Sequence, residues 1–304
     1  MRKAIKLGLL RVNSNLKYVM LFGMVNITFA ILLTGPIFIF LKESLLHSVK
    51  AEELTEAFDY LWFVELNYTF REIIMALPSI LVMAGIIFLL LQVFLIGGIY
   101  EILNGEARRN HFIDFFYGCV RYFYRFFKVF LISVVCYVGL YFINIVYLHY
   151  TEMLSVNSES QFLIILFNLF RYFIIMLLFG TLNLLFDYVR IRIVVNQNYN
   201  VLKDLWLSLK LVVKKFWRVS VLFWFFILLG IILYIIHTQL SNYFNPTNYV
   251  FIFLVFIMHQ TYIITKIWIK FVLISSQMEF YRYITLSSSK PIKLVQIEMP
   301  LQGV

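Results

Sequence analysis

The chain has 304 residues, of which 62% are hydrophobic, 19% are aromatic and only 14% are charged, and its formal net charge is +10. A soluble domain of ordinary composition cannot bury so large an apolar fraction, so the composition predicts an integral membrane protein. The basic residues lie in segments between alternate apolar runs, which favours lipid headgroups over nucleic acid as their counter-charge.

The N-terminus is basic and leads directly into the first apolar run, from Tyr18 to Leu41. This run is too long for the core of a signal peptide and has no small-residue cleavage site at its end, so we expect an uncleaved first span. A segment with an excess of acidic residues follows at 42–72, and its apolar spacing predicts a helix from about Leu54 to Trp62 with one apolar face.

Five further apolar runs predict the remaining spans, at about 73–103, 126–150, 161–186, 218–240 and 249–276. Basic residues cluster at the start of the chain, before the third and fifth spans and after the sixth, whereas the opposite connections are acidic or uncharged. The positive-inside rule therefore predicts six spans with both termini in the cytoplasm. We expect one membrane domain over 1–286 and a cytoplasmic tail over 287–304.

One stretch of sequence occurs twice, at 110–131 and again at 200–221. In both copies the apolar residues have the spacing of one helix face and the basic residues lie on another, which predicts a basic amphipathic helix in the plane of the membrane. A partial third copy lies near the N-terminus. The residues expected to contact anionic lipid or the membrane interface are Arg121, Arg125, Lys128, Trp206, Lys210, Lys214, Lys215, Trp217 and Arg218.

The repeats predict the fold class as well. All copies enter the membrane from the same side, so we expect an all-α polytopic protein whose six transmembrane helices form three parallel hairpin repeats, each with a cytoplasmic amphipathic interfacial helix. The repeat units are expected at about 1–103, 104–195 and 196–286.

Arg171 lies inside the fourth apolar run, and its depth depends on the register of that span. If the span occupies 161–186, Arg171 lies roughly 15 Å deep, close to the midplane, which would mark a substrate or ion site. If the span is shifted to about 172–195, Arg171 reaches the outer surface and Asp187 pairs with Arg190 near the inner surface. The lack of an acidic partner in the other spans favours the second register.

Other polar residues lie deep in the spans and, with Arg171, form a candidate intramembrane or transport site. Their pattern favours hydrogen bonding between helices over a transport pathway. Lys266 and Lys270, one helical turn apart and late in the sixth span, are expected to snorkel to the cytoplasmic interface. The candidate polar site consists of Arg171, Gln92, Asn168, His259 and Gln260.

The sequence contains none of the motifs that carry common catalytic chemistry, such as a glycine-rich phosphate loop, HExxH or GxSxG. The five histidines have no ligand spacing, and Cys119 and Cys136 lie within apolar runs without a CxxC pattern. We therefore expect neither an enzyme nor a metal site, cofactor or disulfide framework.

Several short motifs of the chain resemble a group of bacterial membrane proteins. These motifs are a Gly-Gly pair ending the second span, a Gly-Glu turn followed by Phe-Phe-x-Gly, and an Asp-Tyr-x-Arg-Ile run; their residues are Gly97, Gly98, Gly105, Glu106, Phe115, Phe116, Gly118, Asp187, Tyr188, Arg190 and Ile191. The group includes the membrane domain attached to some glycerophosphodiester phosphodiesterases and the YciC-like inner-membrane proteins. The phosphodiesterase barrel is missing from this sequence, so the resemblance implies a bacterial cytoplasmic-membrane location and not that activity.

Two functions of different classes follow from these observations. The repeated basic and aromatic helix favours a non-catalytic scaffold or membrane-complex subunit that contacts anionic lipid at the cytoplasmic face, alone, as a homo-oligomer or with membrane-protein partners. The alternative is a permease or lipid transporter with a polar site near Arg171.

Overall fold

The computed structural model describes residues 1–45, 59–105, 112–157, 161–244 and 249–288. Within these ranges the chain forms nine α-helices and no strand, which confirms the predicted all-α fold class. Six of these helices are long and apolar enough to cross a membrane, as a multi-pass membrane protein requires. Most of the expected tail, from 289 onward, and the predicted helical residues 54–58 lie outside the described ranges.

Successive long helices run in opposite directions, and short helices precede or join them. The bounds are α1 Arg2–Asn13, α2 Leu16–Leu45, α3 Tyr60–Thr69, α4 Arg71–Asn104, α5 Phe112–Asn157, α6 Gln161–Asn196, α7 Val201–Lys214, α8 Phe216–Tyr243 and α9 Tyr249–Ser288. The candidate spans are α2, α4, α5, α6, α8 and α9.

Several of the spanning helices are much longer than the predicted spans. Helix α5 has 46 residues and α9 has 40. At a rise of 1.5 Å per residue these helices are about 69 and 60 Å long, roughly twice the thickness of the hydrocarbon core of a bilayer. They therefore extend well beyond the membrane even when tilted.

The buried apolar core lies almost entirely at one end of the bundle. It is formed by α1, α7, the first turns of α2, α5 and α8, and the last turns of α4, α6 and α9. We call this region the packed end and the opposite region the open end. At the open end most large apolar side chains of the spanning helices are exposed, as side chains that face lipid would be.

Helix α1 packs against the last turns of α9, so the beginning and the end of the described chain meet. The guanidinium of Arg11 lies 2.7 Å from a carboxylate oxygen of Glu279 and donates a 2.8 Å hydrogen bond to the carbonyl of Leu103. Arg282 pairs with the same Glu279 oxygen at 2.8 Å and donates to the side-chain and main-chain oxygens of Asn104. One carboxylate therefore joins α1 to α9, and two arginines extend this network to α4.

The three amphipathic segments differ in how they join the following span. Helix α1 ends at Asn13 and is followed by Ser14 and Asn15, whose side chains both donate to the carbonyl of Arg11, and α7 ends at Lys214, before the cap residue Lys215. By contrast, α5 is one uninterrupted helix from Phe112 to Asn157, so the expected separate interfacial helix before the third span forms its first turns instead.

An exposed amphipathic surface and a polar cavity

Helix α7 turns an apolar stripe away from the rest of the protein. The stripe contains Leu202, Trp206, Leu209 and Val213, at the spacing of one helix face, and Trp206 is 65% exposed. Lys203, Lys210 and Lys214 lie along one side of the stripe, and all three are exposed. An uncovered apolar stripe beside a row of lysines matches the boundary between acyl chains and anionic headgroups. We call these seven residues the α7 surface.

The opposite side of α7 packs on α6 around a fully buried carboxylate. Asp204 has an exposure of 0%, and its Oδ1 atom accepts hydrogen bonds from Arg192 at 3.0 Å and from Asn198 at 3.2 Å. Val201, Ser208 and Val212 are buried on the same side. The ion pair between Asp204 and Arg192 holds this side of α7 against α6, and the opposite, apolar stripe is left uncovered.

The other residues expected at the membrane interface divide into two groups. Trp217 is 80% exposed, and Arg218 beside it is also exposed.

Arg121 and Arg125 instead make contacts within the protein. Arg121 lies 3.8 Å from Glu101 and donates to Gln197, whereas the buried Arg125 donates to the carbonyl of Asn198 and lies 4.2 Å from the ring centre of Tyr199. The ammonium of Lys128 lies 4.4 Å from the ring centre of Tyr124, on the exposed side of α5. Lys215 directly follows the last residue of α7 as its cap.

A cavity of about 580 Å³ lies between α2, α4, α8 and α9, close to the packed end. Its walls are mostly apolar, and its polar lining consists of Asn26, Gln92, Tyr262, Lys266 and Lys270. Gln92 Nε2 donates a 3.2 Å hydrogen bond to Asn26 Oδ1. The cavity therefore has mostly apolar walls, two lysine ammonium groups, and the hydrogen-bonded amides of Gln92 and Asn26.

A second cavity, of about 290 Å³, adjoins the first and shares Gln92, Ile96 and Lys270 with it. It is also lined by Arg190, whose guanidinium lies 3.3 Å from Asp187 Oδ1. Asp187 acts electrostatically on Lys270 and lies next to Gln277, which is completely buried. The Asp187 and Arg190 pair thus forms part of the polar interior around the cavities.

The sequence did not predict that Lys266 and Lys270 line a cavity. The expectation that they snorkel to the cytoplasmic interface stays a prediction; both side chains are exposed, and both line the cavity. The available signal was their spacing of one helical turn within a long apolar run that continues to Ser276. Only the packing of α2, α4 and α8 around α9 shows which side of the helix they occupy.

Two histidines lie together on the open-end side of the cavity. The ring centres of His237 and His259 are 4.6 Å apart, and His237 stacks on the cavity residue Tyr262 at 4.4 Å. His259 Nδ1 lies 2.8 Å from the carbonyl oxygen of Val255 in its own helix. Gln260 Oε1 is buried and has no hydrogen-bond partner in the described part of the chain.

Arg171 and Asn168 lie apart from the cavity, on α6 near the open end. The Arg171 side chain is 6% exposed and lies over the ring of Tyr172, at 4.7 Å. Among the described residues, nothing accepts a hydrogen bond from its Nε or Nη1 atoms. Gln92 lines the cavity, and His259 is connected to the cavity residue Tyr262 through the ring of His237. Arg171 lies elsewhere.

The described residues contain no group of three or more His, Cys, Asp or Glu side chains that could hold a metal ion. Cys119 is completely buried against α4, and Cys136 is half-buried; both are free thiols. Comparison of the chain with protein-family models, with curated proteins and with solved structures finds no match.

Proposed function

We propose that the protein is a non-catalytic scaffold of the bacterial cytoplasmic membrane that contacts anionic lipid through its packed end, with both termini in the cytoplasm. The observation that carries this proposal is the α7 surface, whose apolar stripe is left uncovered while Asp204 pairs with Arg192 on the buried side of the helix. Three exposed lysines beside that stripe give it a preference for negatively charged headgroups.

Charge elsewhere at the packed end supports the same role. Arg2, Lys3 and Lys6 of α1 are exposed beside exposed Leu7 and Leu10, which repeats the combination of basic and apolar residues seen on α7. The open end carries exposed apolar side chains and few basic ones. This asymmetry is the one that the positive-inside rule associates with the cytoplasmic side.

The proposal is tested by the lipid selectivity of the reconstituted protein. Spin-labelled phosphatidylglycerol and phosphatidylcholine report, by electron spin resonance, how strongly each lipid associates with the protein. The variant Lys203→Gln/Lys210→Gln/Lys214→Gln should lose about 1 kcal/mol of preference for phosphatidylglycerol for each lysine that lies near the headgroups. A matched variant at the open end, Lys42→Gln/Arg71→Gln, should keep the wild-type preference. Equal loss in both variants would contradict the proposal.

A lipid permease is the second candidate, and the polar cavity is the observation that favours it. A permease would accelerate the exchange of fluorescent phospholipids between the two leaflets of a vesicle, whereas a scaffold would not. Exchange at the rate of protein-free vesicles, measured by dithionite quenching, is the result that the scaffold proposal expects. Accelerated exchange that is lost in Gln92→Leu would favour the permease.

A further inference from the structure

The cavity between α2, α4, α8 and α9 has the composition of a site for an amphiphile. Its apolar wall comes from four helices and includes Phe22, Phe88, Phe226 and Ile267. The cavity is partly open, and its volume of about 580 Å³ lies within the range of small-molecule pockets. Apolar walls of this extent are more than a small hydrophilic ion requires, and they suit an acyl chain.

The charged groups of the cavity are cations. Lys266 and Lys270 lie one turn apart on the same side of α9, and Arg190 lines the adjoining cavity. No Asp or Glu is among the residues that line either cavity in the described part of the chain. Asp187, whose charge acts on Lys270, is already paired with Arg190.

The two lysine ammonium groups have no hydrogen bond or ion pair within the described residues. Both side chains are exposed to the cavity, and Asp187, the nearby carboxylate that acts on Lys270, is shared with Arg190. An anion between the two lysines would be attracted by both ammonium groups. The Gln92 amide, already bonded to Asn26, lines the same cavity as a neutral polar group. These features together select a ligand with a compact negative charge and an apolar portion.

The position of the lysines along α9 indicates where that ligand comes from. Lys266 and Lys270 lie about 26 and 32 Å along the helix from its start at Tyr249, close to the thickness of the hydrocarbon core. With Tyr249 at the opposite edge of the hydrocarbon core, this is the level at which the phosphates of one leaflet are found. A lipid of that leaflet can therefore place its phosphate at the lysines without leaving its normal depth.

We propose that the cavity binds one anionic phospholipid, with its phosphate between Lys266 and Lys270 and its acyl chains along the apolar wall and out through the open side. This site is internal and separate from the α7 surface, so either can exist without the other. Binding at this site joins α9 to α2, α4 and α8 through a lipid that the packed end holds in place.

The site is tested with a phosphatidylglycerol that carries a diazirine on its acyl chain, added to the full-length protein in nanodiscs. After irradiation, mass spectrometry of peptides should find the label on cavity residues, including the stretch from Phe88 to Ile96. In Lys266→Gln/Lys270→Gln the labelling of this stretch should fall at least fivefold. Lys266→Arg/Lys270→Arg should retain it, because the charge is kept.

Matched controls distinguish binding at this site from binding at the α7 surface, and phospholipid from other anionic ligands. Lys203→Gln/Lys210→Gln should leave cavity labelling unchanged, even if the selectivity for surface lipid falls. Unlabelled phosphatidylglycerol should compete, whereas phosphatidylcholine and inorganic phosphate should not. Equal labelling by a phosphatidylcholine probe, or displacement by inorganic phosphate alone, would overturn the proposal. If the glutamine variant does not fold, the position of the label on the wild-type protein and its competition still decide the question.

Discussion

Gly98 of α4 and Gly118 of α5 lie face to face at the packed end. A Cβ atom built on Gly118 would be 3.2 Å from the Cα atom of Gly98 and 2.5 Å from Cβ of Glu101. A Cβ atom built on Gly98 would be 2.6 Å from the carbonyl oxygen of Phe115. The two backbones approach this closely because neither residue has a side chain, as in other close crossings of membrane helices.

Replacing Gly98 with alanine should therefore destabilise the protein. The new methyl group meets backbone as well as side chain, so α4 and α5 must separate, at a cost of about 1–3 kcal/mol. Thermal unfolding of the purified protein in detergent measures the effect. Gly85→Ala, on the same helix but with nothing within 4 Å, is the control, and it should be neutral or slightly stabilising. Equal stability of both variants would refute the close approach.

Glu279→Gln should loosen α1 from the packed end. The carboxylate is the shared partner of Arg11 and Arg282, and it is largely buried, so its loss leaves two guanidinium groups without their counter-charge. We expect a loss of about 1–3 kcal/mol in the free energy of unfolding, measured by chemical denaturation in detergent. Glu65→Gln, which removes an exposed carboxylate without an ion pair in the described chain, should change it by less than about 0.5 kcal/mol. A larger effect of Glu65→Gln would show that global charge, and not this network, matters.

Asp204→Asn should release α7 from α6. The residue is completely buried and accepts from Arg192 and Asn198, so the substitution removes the charge from a buried pair, at a cost of about 2–4 kcal/mol. Protection from hydrogen exchange in α7 should fall while that in α4 and α5 is kept. Glu43→Gln, at the open end, should leave the exchange of α7 unchanged. Unaltered protection of α7 in Asp204→Asn would contradict this account of how α7 is held.

The register of α6 can be tested beside Arg171. Arg171 and Arg190 are separated by roughly 28 Å along the helix, close to the hydrocarbon thickness, which places both at an interface in the shifted register. In a background of Cys119→Ala/Cys136→Ala, Tyr172→Cys should react with a membrane-impermeant thiol reagent from outside. Phe179→Cys, exposed on the same helix but roughly 10 Å deeper, should be protected. Protection of both positions would instead favour Arg171 at the midplane.

The sequence was sufficient for the number of spanning helices because each apolar run is long and is bounded by charged or polar residues. The uncovered stripe of α7, including Trp206, also follows from the spacing of apolar residues. The opposite side of α7 could not be predicted, since Asp204 and Ser208 look like surface residues until α6 packs against them and supplies Arg192 to Asp204. The role of Lys266 was hidden for a similar reason, because periodicity does not reveal which neighbouring helices enclose it.

In the proposed arrangement the α7 surface faces the boundary between headgroups and acyl chains of anionic lipid. A variant that retains only Trp206, with phenylalanine at Trp62, Trp217, Trp224 and Trp268, should be quenched by phospholipids brominated near the top of their acyl chains. Quenching should be stronger in phosphatidylglycerol than in phosphatidylcholine, and acrylamide in the water should have little effect. Quenching of Trp206 by acrylamide and not by brominated lipid would place this surface in water and contradict the account.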